Sequence, residues 1–174
     1  VVTNPAVDRE REQELFSTQV LVGPRPPLEM IADGRAIPRA AGCVALDSPI
    51  LLGGHTGAPV LPLVVYRAVA DRAGTMLLED LLARFDAAHV ANLPLATEAG
   101  ELVQDAVNRL AAQAVGWAQA GVAVLVLDDA PAFRGGRGWL DPYLAVAAVD
   151  TALREAWTTS DAPRNCRRCT GLVV

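Results

Sequence analysis

A chain of 174 residues, 52% of them apolar, is long enough for one domain with a real core and too hydrophobic to be disordered throughout. Its net charge of −5 and pI near 5.0 argue against a nucleic-acid or anionic-membrane partner, which would call for a concentrated basic surface. No such face is evident in the sequence. All fifteen basic residues are arginine and alanine is abundant, a composition that points to a GC-rich, bacterial source. No apolar run approaches the roughly 20 residues of a membrane helix. The first residues, Val1-Val2-Thr3-Asn4, lack the regions of a signal peptide, so a cytoplasmic location is expected. The missing initiator Met, with a last residue inside an apolar run, leads us to expect that the segment was cut from a longer chain.

In chain order, residues 1–18 are polar and charged and read as a short exposed helix. Gln19 to Gly23 is a brief β-like run that Pro24, Pro26 and Pro27 end, because proline removes a donor and fixes φ. From there to about Pro49 no period is sustained, and an irregular segment wrapping a larger body is expected. Gly53-Gly54-His55-Thr56-Gly57 fits neither the phosphate-loop nor the dinucleotide spacing and is read as a loop, with His55 lacking a nucleophile partner. Val60 to Tyr66 is rich in β-branched residues and reads as a strand, irregular or at an edge because of Pro62. Arg67 to about Ala88 reads as helix, broken at Gly74-Thr75 with Thr75 capping the second piece; His89 to Leu95 reads as a short strand.

Glu98 to about Ala120 is the clearest helix, capped by Thr97, with Val103, Val107, Leu110, Ala114 and Trp117 on one stripe. Glu101, Asp105 and Arg109 fall opposite, Asp105 and Arg109 in the acid-before-base order at i,i+4. Gly121 stops this helix, and the run Gly121 to Asp129 reads as a strand buried on both faces. Asp128 and Asp129 would then lie at the carboxyl end of a parallel strand, where open α/β folds collect ligands. Adjacent acids alternate faces on a strand, however, so they do not converge on a metal without a turn between them. The glycine-rich loop Phe133 to Trp139 is compatible with an anion, a lid or a partner contact. Asp141 caps a helix with Pro142 in its first turn, and Leu144 to Leu153 is apolar nearly all round, which predicts that the helix is buried in a larger body.

Cys166 and Cys169 form a lone Cys-x-x-Cys without the further ligands a zinc site needs. They are read as small apolar side chains entering a final strand, with Arg167 and Arg168 expected to lower a thiol pKa. The expected fold class is thus α/β: a mostly parallel sheet with alternating helices and an irregular N-terminal wrapping segment. Residues 1–52 would form that segment and residues 53–174 the α/β core of a single domain.

Several stretches, in order, carry a family resemblance. Val2-Thr3-Asn4-Pro5-Ala6-Val7-Asp8 followed by Arg9-Glu10, the Gly23-Pro24 step, and Ser48-Pro49-Ile50-Leu51 resemble segments of the central domain of the glutamate synthase large subunit. So do Val124 to Asp129, Leu144 to Val149 and Thr170 to Val174. Departures fall at Ala6, at Ala130 after Asp129, and at Asp150-Thr151, while 53–88 matches poorly. The resemblance implies a parent enzyme that transfers glutamine-derived ammonia reductively to 2-oxoglutarate. It implies neighbouring amidotransferase and synthase domains as partners, with FMN and an iron–sulfur cluster held only in the parent's other domain.

For this segment the resemblance implies a connecting role: catalytic, cofactor-binding and metal-ligating residues are all expected to be none. The alternative expectations are a free-standing small-molecule-binding or regulatory module built on the Asp128–Trp139 loop, and a metal-dependent hydrolase using Asp128 and Asp129.

Overall fold

The computed structural model describes residues 20–25, 42–54, 61–133 and 136–174. The chain divides into two compact units: Val1–Val20 with Ala45–Leu78, and Leu21–Val44 with Glu79–Val174. The short strands β1 (Val20–Val22) and β2 (Val44–Leu46) carry two of the points at which the chain passes from one unit to the other. The expected helix within 1–18, the His55 loop and most of the wrapping segment lie outside the described residues.

In the first unit, helix α1 spans Leu63–Arg72 with Pro62 as its N-cap residue. The strand expected over Val60 to Tyr66 is therefore corrected: from Leu63 onward this stretch is helical, and Val60 lies outside the described residues. Strand propensity is a weak preference that context overrides, whereas proline before a first turn suits a helix because its missing N–H has no intrahelical acceptor to lose. Beyond α1, Gly74 turns the chain with φ +66°, and Leu77 forms a parallel bridge with Leu52. The Leu52 N–H donates to Met76 O at 3.1 Å, and Leu78 N–H donates to Leu52 O at 2.7 Å. Thr75, expected as a helix cap, instead hydrogen-bonds the Ile50 carbonyl. Helix α2 starts later, over Leu78–Leu82, where the chain passes into the second unit.

The second unit is built on a three-stranded parallel sheet of β3 (Val90–Pro94), β4 (Val124–Asp128) and β5 (Gly171–Val173), in the order β3-β4-β5. Register places Val90 opposite Val124 and Val124 opposite Gly171. Helix α3 (Val103–Gln119) connects the first two strands; α4 (Pro142–Glu155) and the single turn α5 (Cys166–Cys169) connect the second pair. The expected parallel α/β architecture is therefore present, with β4 in the middle.

Each strand directs alternate side chains to opposite faces. Leu93 from β3 and Leu125 and Leu127 from β4 meet Ala106, Leu110, Ala114 and Ala118 of α3 and Ala145, Val149 and Leu153 of α4 in one core. Both helices thus cover the same face. Their buried positions recur every four residues, and the row of alanines on α3 has little side chain to hold the helices apart. This rotates the stripe expected on α3: Leu110 and Ala114 are buried, but Val103 and Trp117 are about half exposed, at 52% and 46%. The helix also begins at Val103 rather than Glu98.

Within this chain helix α4 is buried along Ala145, Val149 and Leu153, while Leu144 and Ala147 are exposed. Val124 and Val126 are buried on the other face of β4. There the end of β1 crosses β5 so closely that a Cβ on Gly171 would lie 2.5 Å from the Gly23 backbone nitrogen. Gly23 itself takes φ +101° with Phe85 and the Gly42 carbonyl packed against it.

Candidate functional site

The carboxyl edge of a parallel sheet is where a ligand site would form, and three connections converge there. The chain leaving β3 is tied to the chain approaching α4. Leu140 N–H donates to Leu95 O (3.1 Å), Thr97 N–H donates to Gly138 O (2.9 Å), and Ala96 and Trp139 form an antiparallel bridge. The Thr97 hydroxyl accepts from Gly138 N–H at 3.2 Å, so this residue fastens two loops and does not cap α3, whose N-cap is Leu102. Leu95 N–H donates to the carbonyl of Asp128 at 2.7 Å, closing the same edge onto β4.

Asp128 and Asp141 at this edge are engaged by their own chain. Asp128 Oδ1 accepts from Ala130 N–H at 2.9 Å, turning the chain after β4, while Asp129 is exposed. Among the described residues no three His, Cys, Asp or Glu side chains are grouped as a metal would need. Asp141 Oδ1 accepts from Tyr143 N–H at 2.8 Å, the cap expected for α4.

Glu101 is held by Arg109 through two 2.8 Å bonds, Nε to Oε1 and Nη2 to Oε2, and accepts from Glu98 N–H at 2.8 Å. Arg109 also donates to Ala96 O at 3.0 Å. The Asp105–Arg109 pair expected from spacing is thus replaced by Glu101–Arg109, because the turn before α3 brings a closer carboxylate back over the helix. Arg109, then the Glu98 amide, hold the Glu101 carboxyl down to about 2, and the Arg109 guanidinium is raised in turn. An acid so strong remains an anion at neutral pH and does not serve as a proton donor.

Large apolar side chains rim this edge. Leu102 and Val103 open α3, Phe133 ends the turn after β4, and Trp139, Tyr143 and Leu144 lie at the start of α4, all exposed, Tyr143 to 87%. Sequence reasoning missed this rim because it assigned Val103 and Leu144 to the core.

At the opposite end of α4 the chain gathers arginines. Asp150 accepts from Arg154 Nε and from Arg167 Nε, each at 2.5 Å, and Arg167 Nη1 donates to Thr170 O at 2.9 Å. Burial raises the Asp150 carboxyl, but the two guanidinium bonds outweigh it and hold the group below its ordinary value. Cys166 is fully buried in the turn α5, not in a strand as expected, and burial, then Cys169, push its thiol up. The expected lowering by Arg167 and Arg168 is thereby corrected for Cys166: Arg167 is turned to Asp150 and Thr170.

These features define an α/β domain whose polar groups at the ligand-collecting edge serve mainly to join its own loops. Residues 1–173 match the glutamate synthase central domain family, and the chain belongs to that family. A central domain has its place within a larger multidomain chain. No curated protein and no solved structure gives a match. Among the described residues no helix is long and apolar enough to cross a membrane.

Proposed function

We propose that this is a non-catalytic connecting domain of a glutamate synthase-like enzyme, spacing an amidotransferase domain and a flavin-bearing synthase domain. The parent reaction would transfer glutamine-derived ammonia reductively to 2-oxoglutarate, giving glutamate in a bacterial cytoplasm. The observation that carries the reading is the carboxyl edge itself. Backbone pairing between 95–97 and 138–140 closes it, Asp128 and Asp141 are bonded within their own turns, and among the described residues an apolar rim from Leu102 to Leu144 stands where a ligand pocket would place convergent polar groups. Exposed apolar surface of this kind suits contact with a neighbouring domain.

Glutaminase and 2-oxoglutarate-dependent glutamate synthesis should both be absent from the purified protein. Either activity, abolished by substitution within this chain, would overturn the connecting role. A saturable thermal shift with glutamine, 2-oxoglutarate or a nucleotide, lost on altering Asp128 or Trp139, would establish a binding module in its place.

A further inference from the structure

On a protein of net charge −5, five of the fifteen arginines meet at one place: Arg25, Arg154, Arg164, Arg167 and Arg168. The crossing of the N-terminal strip over β5 brings them together. Arg25 N–H donates to Arg168 O at 2.7 Å, and Arg164 Nη2 donates to Arg25 O at 3.2 Å. Arg154 and Arg167 share the single carboxylate of Asp150. Glu155 and Asp161, close in sequence to Arg154 and Arg164, make no ion pair with these arginines among the described residues.

Among the described residues Asp150 is the one carboxylate ion-paired within this group of arginines, and like charges are held together at a cost unless an anion joins them. Partial burial first, then Arg167 and Arg154, lower the Arg25 guanidinium from its ordinary value, with Asp150 acting in the opposite sense. The side chains of Arg25 and Arg168 are exposed and have no acceptor among the described residues, while Arg154 uses only its Nε and is 70% exposed. The site therefore offers several guanidinium donors with planar N–H forks, the geometry that takes phosphate oxygens in pairs.

We propose that this arginine cluster is a binding site for a small soluble oxyanion of the phosphate class, such as the diphosphate of a metabolite. The assignment is independent of the connecting role and of the carboxyl edge.

Isothermal titration of the protein with inorganic phosphate and with pyrophosphate, at ionic strength fixed by chloride, tests it. Pyrophosphate should bind saturably at one site, more tightly than phosphate. Arg25→Gln with Arg168→Gln should weaken it by about tenfold or more, as expected for loss of charge-assisted contacts. Those side chains hold no ion pair among the described residues, and the Arg25–Arg168 hydrogen bond is between backbone groups, so the fold should persist; Arg164→Gln alone provides a second test if it does not. No binding above the chloride control, or binding untouched by these substitutions, would overturn the proposal. So would an acidic peptide such as oligoglutamate binding more tightly than pyrophosphate, which would reassign the cluster to a protein partner.

Discussion

Arg109 grips both oxygens of Glu101 and the Ala96 carbonyl, so one guanidinium fixes the turn between β3 and α3. Because the folded carboxyl is held at about 2 against an ordinary 4.5, its contribution to stability is fully present above about pH 4.5. That contribution declines as the pH falls towards 2. Glu101→Gln should therefore melt earlier than the parent protein at pH 7, with the gap narrowing between pH 4.5 and 2; a gap independent of pH would show that the carboxylate's charge is not what matters. A second pair of substitutions separates the two sides of α3. Leu110 is wholly buried, so Leu110→Ala should cost about 2–5 kcal/mol in denaturant unfolding. Trp117→Gln, on the half-exposed side, should cost well under half of that, although spacing alone placed both residues on one stripe.

At the scale of elements, α4 depends on a cap made by its own preceding residue. Asp141→Ala should lower stability by about 0.5–2 kcal/mol, measurable by urea titration, with Asp141→Asn largely retaining it. This cap was legible in the sequence because Asp141-Pro142 carries its whole geometry within three residues. β4 was legible for a related reason: a run apolar on both faces has few stable solutions except a central parallel strand. What could not be read depended on partners distant in the chain. The stripe on α3 is chosen by α4, and small alanines at 106, 114 and 118 win the interface over bulkier Val103 and Trp117. Thr97 looked like a cap until Gly138 N–H claimed its hydroxyl. At the carboxyl edge the location of Asp128 and Asp129 was readable, but the backbone pairing that closes the edge was not. The arginine cluster was hidden because Arg25 joins it from a different part of the chain.

For the whole molecule, the crossing of Gly23 over Gly171 has a consequence in time. The sheet and its helices form from neighbouring segments, whereas the bond from Arg164 to Arg25 spans 139 positions and must wait for the ends of that unit to find each other. A contact made after the folding barrier affects how fast the native state opens more than how fast it forms. A methyl at position 171 would meet the Gly23 nitrogen at 2.5 Å, and the overpacking should cost about 1–3 kcal/mol. In stopped-flow measurements Gly171→Ala should accelerate unfolding and leave refolding nearly unchanged; slowed refolding would place this meeting of the ends at the start of the folding route. The two glycines would then act as a latch, closing last and setting the lifetime of a unit whose central strand is already in place.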